Sequence, residues 1–209
     1  MFEFRLVYQG LLFGSNNDKT RSDHKHDIRR YLHPQLVNLW NTRQPLKQRL
    51  AANVQLSKTS SSFIPAGADV LSSQYKIGNQ RFLPLVTSSD MLVCGLDVLL
   101  LRRDLGMLIS SGDLDNRVKT IVDALRMPKA GENYEAEENP LYVVLEEDQL
   151  ISEIKITADH LFATPDQLVA HPKISQHTGE PTVRDNHAVA IIHVKVKATQ
   201  FVPGNLEFM

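Results

Sequence analysis

Hydrophobic and polar residues alternate from the first positions of the chain, with Phe2, Phe4 and Leu6 set against Glu3, Arg5 and Val7. Gly10 and the run Gly14-Ser15-Asn16-Asn17 then break the alternation, which predicts a strand followed by a loop. Beyond Ser22-Asp23, residues suited to capping a helix, the spacing lengthens: Ile28, Leu32, Leu36, Val37 and Trp40 recur at helical intervals, with Arg29, Arg30 and Arg43 off that stripe. Ser57 to Ser62 reads as a polar loop, and Tyr75 to Phe82 as two short strands around Gly78-Asn79. Leu92 to Arg103 is Val- and Leu-rich enough for a mostly buried strand, and Gly106 turns the chain into a short apolar stretch, Met107 to Ile109. Val118, Ile121, Val122 and Leu125 then fit one helix face, so a helix is expected from about Asp115 to Arg126, stopping before Pro128.

The rest of the chain returns to strands. Pro128 to Pro140, with Gly131 and four glutamates, has no period and reads as an acidic surface loop. Leu141 to Leu145 and then Ile151, Ile154 and Ile156 extend the sheet. Thr164-Pro165-Asp166-Gln167 has the form of a helix start, and His187 to Thr199 alternates loosely through Val189, Ile191 and Val194 as a final strand. No repeat or low-complexity tract is found. The expected fold is α+β, a small mixed sheet flanked by helices in one domain spanning 1–209.

Hydrophobic residues make up 42% and charged residues 22% of the 209, a balance that supports a sizeable core. The net charge of -1 conceals a division, because 1–58 carries +6 and 113–209 carries -7. A basic front half suits a phosphate backbone and an acidic rear half suits cations, although such segregation also occurs in proteins that bind neither. The one cysteine, Cys94, lies in the apolar run from Met91 to Leu101. It reads as a small buried hydrophobe rather than a reactive thiol, and it permits no internal disulfide, as expected of a reducing cytoplasm. No apolar stretch reaches membrane-spanning length, and the first residues lack a signal-peptide layout.

The segment that carries chemistry is Gly112-Asp113-Leu114-Asp115-Asn116-Arg117-Val118-Lys119, continuing to Asp123. If 113–115 is extended, Asp113 and Asp115 point to one side and offer two hard oxygen ligands to a single Mg²⁺, with Leu114 turned to the core. Once helical, Asp115, Lys119 and Asp123 stack on the face opposite Val118 and Ile121. Equally, Asp113 or Asp115 caps the helix and Lys119 pairs with Asp123. A second acidic cluster, Glu146-Glu147-Asp148, interrupts two strand-like runs where a simple hairpin prefers Gly or Asn, and either completes a site or forms a solvated turn.

The spacing Asp-Leu-Asp-Asn-x-x-Lys-x-x-x-Asp-x-Leu, followed by an acidic pair before a strand, resembles RusA-like Holliday junction resolvases. The resemblance is closest over residues 107–157. It implies that Asp113, Asp115 and Asp148 bind Mg²⁺ or Mn²⁺, that Lys119 assists, and that Asn116, Asp123 and Glu147 support them. It further implies a homodimer that hydrolyses phosphodiesters in branched DNA during recombination and repair. Three departures stand out: a longer chain, Glu147 where aspartate is usual, and the enlarged acidic loop over 127–141, which would repel DNA if it lay over the site.

The residue inventory agrees with water as the attacking group, since neither a Cys-His pair nor a Gly-x-Ser-x-Gly elbow is present. Arg29, Arg30 and Arg117 are candidate DNA contacts. Arg29 and Arg30, with Lys47 and Arg49, also suit a solvated helix face. Lys195 and Lys197 fit a guarded edge strand as well as DNA. His24, His26, His171, His177, His187 and His193 lack the ligand spacing of a zinc site. The alternative to an endonuclease is a non-catalytic DNA-binding or assembly module on the same fold.

Overall fold

The computed structural model describes residues 2–13, 18–56, 66–102, 113–162, 187–202, 205 and 208, with the side chains of 18–21, 52–56, 66 and 113 left out. In chain order the elements are β1 (Phe2–Leu11), α1 (Asp18–Thr42), α2 (Leu46–Leu56), α3 (Ala66–Ser72), β2 (Lys76–Ile77), β3 (Gln80–Val86) and β4 (Leu92–Arg102). There follow α4 (Asp113–Leu125), β5 (Leu141–Leu145), a single 3₁₀ turn (Asp148–Leu150), β6 (Ile151–His160) and β7 (His187–Ala198). The α+β class is as expected. The sheet is divided in two, with strand order β1-β7-β4-β6 in one part and β2-β3-β5 in the other.

The larger part is mixed. β7 runs antiparallel to both β1 and β4, and β6 joins β4 in parallel. β1 keeps its predicted phase, burying Phe2, Phe4, Leu6 and Tyr8 while Glu3, Arg5 and Val7 face out. β7 buries Ala188, Ala190, Ile192, Val194 and Val196, so of the three residues named for it Val194 lies on the core face and Val189 and Ile191 are half-buried on the other. The two alanines, weak as hydrophobic signals, sit on the core face because residues two apart on a strand share a side. β4 lies between β7 and β6 and buries Leu92, Cys94, Leu96, Val98 and Leu100. β6 is exposed along nearly its whole length, including Ile154 at 45% and Ile156 at 37%, although both are in register with buried Leu96 and Val98.

In the smaller part, β2 and β3 form the expected hairpin, with Gly78 at a φ of 59° that a side chain would resist. β5 pairs with β3 in parallel and buries all five residues. α1 packs on it through the predicted stripe: Ile28, Leu32, Leu36 and Trp40 are each at most 1% exposed, and Trp40 meets Tyr142 edge-on at 6.1 Å. Such side chains contribute about 1.5–3 kcal/mol each on burial.

α1 begins four residues earlier than expected, at Asp18, so Ser22 and Asp23 lie inside the helix and do not cap it. Their side chains hold the acidic loop instead: Asn133 donates its backbone N–H to Ser22 Oγ (2.6 Å) and its amide to Asp23 Oδ1 (3.1 Å). Likewise α4 starts at Asp113, so 113–115 is its first turn and not an extended lip. At about 100° per residue this places positions 113 and 115 on different sides of the helix, while Leu114 packs against the core. The expected loops at 14–17 and 57–62, the apolar stretch 107–109 and the helix start at 164–167 lie outside the described residues.

Candidate active-site cleft

α4 ends beside the end of β5. Arg126 forms an isolated parallel bridge with Leu145, and the Met127 N–H donates to the Leu145 carbonyl at 3.0 Å. Two segments distant in sequence, the loop after α4 and the acidic turn after β5, therefore leave the core side by side. Between them and α1 lies a cleft of about 440 Å³ whose lining includes Ser22, Lys25, Lys119, Asp123, Arg126, Lys129, Glu132 and Asp148.

One wall is a buried ionic network. Lys25 Nζ contacts Asp123 Oδ2 at 2.8 Å and Glu132 Oε1 at 2.9 Å. Arg29 reaches Glu132 at 3.1 Å, and Arg126 reaches Glu132 at 2.9 Å and Asp123 at 3.3 Å. Arg29 also donates to the carbonyls of Asp123 (2.8 Å) and Arg126 (2.9 Å), so α1, α4 and the loop are tied at one point. Burial alone would push the Glu132 carboxyl up, but hydrogen bonds from Arg126, Lys25 and the Lys129 N–H outweigh it and hold it at about 2. Burial brings the Arg29 guanidinium down to about 10 despite Glu132.

The acidic loop is thus bound to α1, with Glu132 and Glu138 ion-paired and Glu135 and Glu137 exposed. Glu132 is enclosed by three cations, Glu138 accepts from Arg30 at 3.3 Å, and His26 bonds the Glu135 carbonyl at 2.8 Å. Much of the charge division read from the sequence is used within the chain. Arg29, a candidate DNA contact, has a side chain 0% exposed and is turned onto the loop, away from any external phosphate. Arg30 retains 30% exposure beside Glu137 and Glu138, and Arg117 is buried next to His24. Burial chiefly, and Arg117 after it, lower the His24 imidazole to about 4.

The acidic turn divides its labour. Glu146 Oε2 accepts both the N–H and the hydroxyl of Ser88 at 2.8 Å, which fixes the turn, and Glu147 precedes the 3₁₀ turn in an extended conformation. Asp148 faces the cleft. Lys129 Nζ lies 2.8 Å from its Oδ2, and Arg126 Nε, buried and without a hydrogen-bond partner among the described residues, lies 3.7 Å from the same oxygen. The Lys129 hydrogen bond above all holds the Asp148 carboxyl below the usual carboxylate range. Lys119 lines the same cleft and is exposed, as are Asp115 and Asn116 one turn before it on α4. The expected Lys119 to Asp123 pairing is replaced: Asp123 is 6% exposed and turned onto Lys25 and Arg126.

Carboxylate oxygens are the donor chemistry Mg²⁺ prefers. Asp148 supplies them within the cleft and Asp115 supplies them on the exposed face of α4. The Asp113 side chain is outside the described set, and among the described residues no three ligand-type side chains are gathered closely enough to hold an ion. No described helix is long and apolar enough to cross a membrane. Sequence reasoning missed Lys25, Arg126 and Lys129 as cleft residues, since none of them stands in a motif. Comparison with known proteins finds no matching family model, no similar curated protein and no similar solved structure.

Proposed function

We propose that the chain is a divalent-metal-dependent endonuclease of RusA type acting on branched DNA, with a second copy of itself as partner. The observation that carries this reading is the convergence of Lys119 from α4 and Asp148 from the turn after β5 on one cleft. Asp148 and, from the exposed face of α4 that carries Lys119, Asp115 would hold Mg²⁺, which when bound would supply polarisation of a phosphoryl oxygen and a more acidic water; Asp113, the third ligand that the resemblance implies, would join them only if the first turn of α4 opened. Lys119, exposed beside them, offsets charge that develops on the phosphate. Asp123 orients Lys25 and Arg126 along the wall, Glu146 fixes the turn that presents Asp148 through its two bonds to Ser88, and Glu147 stands next to Asp148 without a side-chain capping bond to that turn. Pairing of Glu132 and Glu138 with cations of α1 reduces the negative charge that DNA would meet on this face, with Glu135 and Glu137 left exposed. A dimer is supported by β6, an edge strand that leaves Ile154 and Ile156 uncovered.

The test is cleavage of a four-way DNA junction with Mg²⁺ or Mn²⁺, comparing the native chain with Asp115→Asn. Loss of about 10²-fold or more in the variant is expected, on the scale of removing a charge-stabilising group. Equal behaviour of the two proteins, with and without metal, would remove the enzymatic reading. That outcome, with DNA binding retained, would favour the non-catalytic module, to which the lysine already seated on Asp148 also lends support.

A further inference from the structure

We propose that Lys129 is a tethered counter-ion that holds the place of the divalent cation on Asp148 and is released into the cleft, beside Lys119, when metal binds. The inference rests on the reading of Asp148 as a metal-binding carboxylate. Two cations face the same carboxylate oxygen, Lys129 Nζ at 2.8 Å and Arg126 Nε at 3.7 Å, and only one of them is free to leave. Arg126 is 3% exposed and its other nitrogens are committed to the Met127 carbonyl (2.7 Å), Glu132 (2.9 Å) and Asp123 (3.3 Å). Lys129 is 57% exposed, and among the described residues Asp148 is the one carboxylate its ammonium meets.

The loop can stay in place while the ammonium moves. The Lys129 backbone N–H donates to Glu132 Oε2 at 3.1 Å and its carbonyl accepts from the Glu132 N–H at 3.0 Å, so the main chain is anchored in the ionic network. Only the flexible four-carbon stem has to swing. A Mg²⁺ or Mn²⁺ ion needs the carboxylate oxygen at about 2.1 Å and repels an ammonium on that oxygen. The displaced ammonium remains within the same cleft wall as Lys119, where a bound phosphate would meet two lysines in place of one. The contact so described keeps Asp148 neutralised before the metal arrives and adds a cation to the substrate side afterwards.

The experiment is titration calorimetry of the full chain with Mn²⁺ at low ionic strength, for the native protein, Lys129→Ala, Lys129→Arg and Lys119→Ala, with circular dichroism as the check on folding. Removing an exposed competitor is expected to tighten Mn²⁺ binding by about three- to fivefold in Lys129→Ala. Lys129→Arg should bind no tighter than the native chain, and added salt should narrow the gap. Unchanged or weaker binding by Lys129→Ala overturns the proposal, as does equal tightening by Lys119→Ala, which would indicate a general field effect. No detectable Mn²⁺ binding by any of the four removes the metal reading itself, and this inference with it.

Discussion

Replacing Glu132 with glutamine is expected to cost the fold about 3–5 kcal/mol, the range for breaking a buried ion pair by removing one partner. The carboxylate is shared by Lys25, Arg29 and Arg126, whose side chains are 10%, 0% and 3% exposed, so the variant leaves three nearly buried cations with Asp123 as their nearest remaining carboxylate among the described residues, and that one bonded only to Lys25 and Arg126. For a domain of this size the loss corresponds to a melting temperature lower by on the order of 10 °C. Glu137→Gln is the control, because Glu137 is 84% exposed and meets Arg30 only at 3.6 Å. It should move the transition by less than about 0.5 kcal/mol.

The same residue sets a pH dependence whose direction follows from its depressed carboxyl. Held at about 2 in the fold against about 4.3 in the unfolded chain, Glu132 adds stability that is fully present above the unfolded value and is lost as pH falls toward the folded one. The amount is of the order of 3 kcal/mol, at about 1.4 kcal/mol per pH unit. Urea midpoints measured from pH 6 down to pH 2 should therefore fall steeply for the native chain and more shallowly for Glu132→Gln. Parallel curves would mean that the network does not hold Glu132 ionised.

The second large effect concerns activity. Asp148→Asn is expected to reduce junction cleavage by about 10³-fold while changing stability by no more than about 1 kcal/mol. The small stability term follows from exposure, since the Lys129 to Asp148 pair is 57% and 35% exposed and such pairs contribute little. The large kinetic term follows from the proposed role, since the other two carboxylates that line the cleft among the described residues, Asp123 and Glu132, are already held by Lys25, Arg29 and Arg126. Rates and urea midpoints measured on the same preparation separate the two. A variant that cuts at the native rate sinks the assignment of Asp148, and one that unfolds shows that the turn after β5 is structural.

How far the sequence could be read depended on whether a position answers to a local period. Phe2 to Tyr8, the α1 stripe through Trp40 and the α4 stripe through Leu125 were legible because a single buried face imposes its own spacing. α2 and α3 went unpredicted, and α4 begins two residues early, because their boundaries depend on tertiary contacts and a short helix carries little period. β7 shows the same limit, since Ala188 and Ala190 are core residues only by virtue of β1 and β4 on either side. At the cleft, Lys119, Asp123 and Asp148 stood out as motif residues. Lys25, Arg126 and Lys129 did not, because a lysine in a loop or an arginine at a helix end gains its role from a partner 6 to 107 positions away. The acidic loop was read correctly as irregular and at the surface, but the pairing of Glu132 and Glu138 was not legible, because Lys25, Arg29 and Arg30 lie on a helix near the other end of the chain.

Cys94 lies on the central strand of the larger sheet, 0% exposed, and burial pushes its thiol up to about 12. A sulfhydryl that is both enclosed and protonated is inert to alkylating reagents until β4 parts from its neighbours. With no second cysteine in the chain, the rate of covalent labelling then reads out how often the molecule comes fully open, and a slow label incorporated without any tag or probe would serve as the protein's own clock.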